Sequence, residues 1–155
     1  MIGRLKAGLR RQREARDRSE IWALQVRYAG ACDRADLAAI EGCFAPNAQC
    51  IYNGEKLAPG RSGVREYLLA RAALMSEAGT PDFAIHLVAN VEVEFDRASA
   101  HAWTYGVRYV GRTTDAGLVL ETRGLVYDDV LVRHEGVWMV QQRELRALWD
   151  TAQPA

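Results

Sequence analysis

Lysine is nearly missing from this chain: Lys6 and Lys56 are its only two, and arginine carries almost all of the positive charge. Neither sign is in surplus, because 20 basic residues face 20 acidic ones and the formal net charge is zero. A chain so balanced lacks the basic excess that nucleic acid or an anionic membrane surface requires, so neither is expected as a partner. Cysteine is scarce as well. Cys32, Cys43 and Cys50 are odd in number and fit neither a CxxC pair nor a disulfide framework, which reads as reduced, buried thiols. Histidine is equally sparse: His86, His101 and His134 form no HxH or HxxxH pair, so no metal is expected. There is no P-loop or GxGxxG run, so no nucleotide cofactor is expected either. No apolar stretch approaches the roughly 18 residues of a membrane helix. The start of the chain shows no apolar signal-peptide core, and the expected location is the cytoplasm.

What is present sorts into two halves. Residues 1–18 read as a charged lead-in, in which arginines are interrupted by Glu14 and Asp17. Ser19 is a candidate N-cap, after which Ile21, Leu24 and Tyr28 recur at helical spacing, with Ala31 and Cys32 on the same face. Gly30 and Asp33 fit the end of that helix. A second, short helix carries Leu37, Ile40 and Phe44 and is expected to stop at Pro46-Asn47. Ala48–Tyr52 reads as a strand running into an Asn53-Gly54 hairpin turn. Val64, Tyr67, Leu68, Arg71, Leu74 and Met75 form a third helical stripe, ended by Gly79 and Pro81.

From Phe83 onward the period changes to two. Ile85–Phe95, Ala98–Gly111, Gly117–Arg133 and Val137–Leu148 are long runs rich in Val, Tyr, Trp and Thr, joined by short links. Short links between long strands make an antiparallel meander. Helices first and strands afterwards give an α+β architecture, one domain over residues 19–148 with a short tail at 149–155. Gly106 and Gly124 inside strands suggest bulges that curve the sheet.

Several residues, in order, carry a resemblance: Arg27-Tyr28, Asp33 and Asp36, Phe44-Ala45-Pro46-Asn47, Tyr52, His86 with Asn90, Tyr127-Asp128-Asp129, and Gly136-Val137-Trp138 leading to Arg143. The pattern resembles the SnoaL-like branch of the NTF2-like superfamily, which includes scytalone dehydratase and bile-acid 7α-dehydratase. The resemblance implies a cone-shaped barrel, with N-terminal helices packed on a curved, mostly antiparallel sheet. It also implies an acid–base dyad at Asp33 and His86, with Tyr28 and Tyr52 orienting a substrate carbonyl. Cys32 stands where scytalone dehydratase has a tyrosine, a departure from the pattern. Assembly through the open sheet face, as a trimer in preference to a dimer, is a further implication.

The chemistry of such a set is elimination. A histidine near neutral pKa can take a proton α to a carbonyl and return one to a departing hydroxyl. A carboxylate would fix its tautomer, and phenols would donate to the enolate oxygen. Cys32, Val88, Trp103, Tyr127 and Arg143 are the expected substrate contacts, and the expected ligand is a hydrophobic or aromatic small molecule. The first reading is therefore a cofactor-independent lyase of dehydratase type. Isomerisation, cyclisation or retro-aldol cleavage would use the same dyad, and a non-catalytic binding or structural subunit is the rival of a different class. Duller roles stay open for single residues: Asp33 as the cap of the next helix, Tyr28 as core, Arg143 as the partner of an aspartate. The discriminator is the interior, which must bring Asp33 to His86 and leave a roomy chamber beside them.

Overall fold

The first helix is built from good helix formers tied together by charge. In the computed structural model, which describes residues 2–77 and 79–154, α1 runs Ile2–Asp33 as one continuous helix. It does not begin at Ser19, which lies mid-helix on an exposed face. Arg10–Glu14, Arg13–Asp17 and Arg16–Glu20 pair at i,i+4, and Arg133 reaches across to both Asp17 and Glu20. Pairs at that spacing support a helix before it meets a core. The expected lead-in is thus the helix's own first half.

α2 spans Leu37–Glu41, and β1 follows at Phe44–Tyr52. The strand takes in Phe44, Pro46 and Asn47, because the chain has already left the helix at Gly42, the C-cap. The Asn53-Gly54 turn has positive φ at both residues (52° and 84°) and folds β1 onto β2, Glu55–Lys56. α3 spans Arg61–Glu77. Four long strands complete the chain: β3 at Phe83–Phe95, β4 at Ser99–Thr114, β5 at Gly117–His134 and β6 at Val137–Pro154. The segment expected as a tail is the last third of β6, held there by pairing with β5 as far as Val119↔Pro154.

The six strands lie in the order β2-β1-β6-β5-β4-β3, antiparallel except where β1 runs parallel to β6. Helices on one curved, mostly antiparallel sheet are the expected α+β architecture. Bulges curve it as the glycines suggested. The register slips at Gly124/Leu125, and on β3 between Val88 and Val91, opposite Gly106. A Cβ on Gly106 would meet the Leu87 carbonyl oxygen at 2.8 Å, so only glycine lets β3 come that close. The core lies between α1 and the sheet's inner face, where Ile21, Leu24 and Tyr28 pack with Val93, Ala100 and Ala102. Among the described residues no helix is long and apolar enough to cross a membrane.

Candidate active site

Asp33 is the last residue of α1, and the chain turns beyond it through Ala35 at φ 51°. Capping of the next helix falls to Asp36, whose carboxylate accepts from the Ala39 amide at 3.0 Å. Asp33 is therefore spared that duty. On β3, Ala84, His86 and Val88 alternate inward while Ile85 and Leu87 are exposed. The two elements bring His86 Nδ1 to 2.6 Å from Asp33 Oδ1, with side chains only 16% and 24% exposed. A carboxylate accepts, so Nδ1 carries the proton and Nε2 keeps its lone pair. Burial pulls the imidazole below the ordinary histidine range; the hydrogen bond and charge of Asp33 oppose that without cancelling it. The ring is held neutral and oriented, as a base requires.

Tyr28 points inward from α1, and its hydroxyl lies 3.2 Å from that of Tyr52 on β1. Burial raises both phenol pKa values, so both remain protonated donors. The Cys32 thiol, beside Tyr28, is likewise pushed up by burial, to about 11, and stays a thiol. Val88 and Tyr127 share a small cavity with His86.

Trp103 and Arg143, two further expected substrate contacts, do not line that cavity. Trp103 lies on the outer face of β4, its ring 3.9 Å from that of His101, which bonds Asp128 at 2.5 Å. The strand's inner face belongs instead to the small residues Ala102, Thr104 and Gly106, all buried. Arg143 is inside but occupied. Its Nε and Nη2 donate to the two oxygens of Asp129, both at 2.7 Å, and Nη2 also donates to Gln25. Its guanidinium sits 4.3 Å and 4.5 Å from the ring centroids of Tyr28 and Tyr127. Only Nη1 lacks a hydrogen-bond partner. Gln25 and Thr104 went unnoticed in the sequence. A polar residue between Leu24 and Tyr28 on the apolar stripe was the available signal for the first, and the row of small residues for the second.

The chamber is not roomy. The cavity beside His86 measures about 10 Å³, on the scale of one water, and Gln25, Tyr28, Thr104 and Tyr127 help to line it. Arg143 and the rings of Tyr28, Phe44 and Tyr127 around it fill the interior. A wider open groove of about 380 Å³ lies outside, between the β1–β2 hairpin and α3. Tyr67 lines that groove and packs edge-on against Tyr52, which bonds Tyr28. A relay of three tyrosines thus separates groove from cavity. Among the described residues no group of three or more His, Cys, Asp or Glu side chains is placed to hold a metal ion.

Known structures share this architecture. A protein of unknown function from Mycobacterium tuberculosis is 25% identical, with 88% of this chain and 74% of that one aligned at a TM-score of 0.70. A provisionally named scytalone dehydratase from Novosphingobium aromaticivorans is 17% identical, over 92% and 91% of the two chains, at a TM-score of 0.71. The hexachlorocyclohexane dehydrochlorinase LinA-type3 of Novosphingobium barchaimii is 15% identical, over 90% and 92%, at a TM-score of 0.74. At such identities the last two establish the fold and nothing finer. No curated protein matches the chain. The SnoaL-like domain profile matches residues 13–144, from the charged half of α1 to β6, a span that includes Asp33 and His86. With that match over most of its length, the chain belongs to the SnoaL-like family.

Proposed function

We propose that this protein is a cofactor-independent lyase that removes a proton α to the carbonyl of a hydroxylated cyclic or aromatic compound. The observation that carries the reading is the 2.6 Å contact between His86 Nδ1 and Asp33, which leaves Nε2 as a neutral base. His86 takes the α-proton and Asp33 stabilises the imidazolium that results. Tyr28 and Tyr52 are protonated donors for the enolate oxygen. The imidazolium then protonates the departing hydroxyl, which leaves as water. Isomerisation, cyclisation or retro-aldol cleavage would share the first of these steps and differ in what leaves.

A ring-sized substrate exceeds the present cavity. Turnover therefore requires the interior beside His86 to widen. The same small cavity favours the second reading, a non-catalytic SnoaL-like subunit with a filled interior. Of the two conditions set on the interior, the contact of Asp33 with His86 is met and the roomy chamber is not; the lyase reading stands on the first.

The test is a panel of cyclic β-hydroxyketones in deuterated water, followed by mass spectrometry for α-deuteration and loss of water. Wild type should catalyse both, and His86→Gln should lower both by about 10²–10⁴-fold. Equal rates in wild type and variant, or binding without exchange, would hand the case to the non-catalytic reading.

A further inference from the structure

Thr104 lies at the middle of β4 on the inner face, between Ala102 and Gly106, and is 0% exposed. Its ladder neighbours are Val91 on β3 and Tyr127 on β5. β4 is a central strand between β3 and β5, so most backbone groups around Thr104 are already paired in the ladder. Thr104 Oγ is buried with no hydrogen-bond partner. Valine would fill the same volume without burying an unpaired hydroxyl. The hydroxyl needs an oxygen or nitrogen that the chain does not supply.

The space for it is present. The cavity of about 10 Å³ is lined by both Thr104 and His86, with Gln25, Tyr28 and Tyr127 the other polar residues of a wall that is otherwise apolar. That is room for a single heavy atom with its hydrogens, and for little else. A guest there lies among residues that carry a hydroxyl and an imidazole.

We infer that this cavity is an oxygen subsite: it holds one water in the resting protein and receives the hydroxyl that leaves the substrate. The second half rests on the lyase reading. In that step the enolate left once His86 has taken the α-proton collapses, so that the carbon–carbon double bond forms as the β C–O bond breaks. The leaving oxygen takes a proton from the imidazolium and remains as water, hydrogen-bonded to Thr104. Atoms and charge balance without a further reactant. A water-sized subsite beside His86 suits a departing hydroxyl, which favours C–O as the bond broken.

Two measurements decide it. A crystal structure at a resolution that orders single waters should show one on Thr104 Oγ in wild type and in Thr104→Ser, and none in Thr104→Val. Its absence from wild type would overturn the subsite whatever the protein catalyses. With a β-hydroxycyclohexanone as probe, the ratio of water loss to α-deuterium exchange should fall about tenfold in Thr104→Val, and Thr104→Ser should restore it. An unchanged ratio would overturn the role in turnover. Should wild type neither exchange nor eliminate, the lyase reading fails and takes that role with it, while the water density still decides whether the subsite exists.

Discussion

One carboxylate at the end of α1 could serve either of two duties, capping the following helix or holding a histidine. The chain resolves that choice with a second aspartate three residues on. Because Asp36 takes the cap, Asp33 is left to His86. The pairing makes a signed prediction. Burial is the larger influence on the ring and lowers its pKa, while Asp33 acts to raise it. In wild type the His86 NMR titration should therefore have its midpoint below about 6.5, the ordinary histidine value. In Asp33→Asn, with the charge gone, the midpoint should move lower still; an unmoved midpoint would show the two groups to be uncoupled. Linkage fixes the stability side. A histidine depressed on folding contributes its full stability above its unfolded pKa, and that contribution is lost as pH falls through the folded one. The stability of wild type against denaturant should thus fall on acidification below about pH 6.5, and His86→Gln should show a shallower decline.

At the scale of elements, the Arg143–Asp129 pair joins β6 to β5, and Gln25 ties both strands to α1. Both ionic side chains are wholly buried. Burial alone would lower the arginine's pKa, but Asp129 outweighs it and holds the guanidinium charged. Arg143→Met would strand a buried carboxylate and should cost about 3–5 kcal/mol in urea denaturation. Adding Asp129→Leu should recover much of that loss, because the remaining charge goes with it. Strictly additive losses would show the pair to be two independent contacts. The strands that carry this pair were legible in the sequence, as were the Asn53-Gly54 turn and the face of β3 that holds His86. The inward face of β4 was not, for a physical reason. Both of its faces are apolar, and alternation alone does not say that the small row, Ala102 to Gly106, faces α1 while Trp103 and Tyr105 face away. Nor was the true start of α1 legible from apolar periodicity, because from Arg10 to Glu20 the helix is tied by ion pairs and not by an apolar stripe. Phe44 looked helical by spacing, yet tertiary pairing with Val140 makes it the first residue of β1. The dyad was legible because a resemblance linked two distant positions; the filled interior was not, because volume has no signature in spacing.

For the molecule as a whole, the outer face of the sheet is unusually apolar. Phe83, Ile85 and Leu87 of β3, Tyr105 of β4 and Trp149 of β6 are each 37% to 53% exposed. Strand register makes them neighbours, since Leu87 pairs with Val107, Val107 with Gly124, and Gly124 with Trp149. Two glycines seat the rings: Phe83 lies over Gly111, and the Trp149 indole lies over Gly124. Contiguous patches of this kind are uncommon on monomers and mark surfaces that meet a partner. Charge bounds the patch toward the other end of the strands, where Glu92, Glu94, Asp128 and Glu144 share that outer face. We propose that other copies of the chain cover the apolar half, as the trimer that the family resemblance implies. A trimer should read as three chain masses in sedimentation equilibrium. It should dissociate on Leu87→Glu with Trp149→Glu, because a carboxylate buried between apolar surfaces without a partner is costly. Both positions point away from His86, so the double variant should keep the His86 titration of wild type even as it falls to monomers. A wild type that sediments as a monomer at every concentration would leave the patch to a different partner.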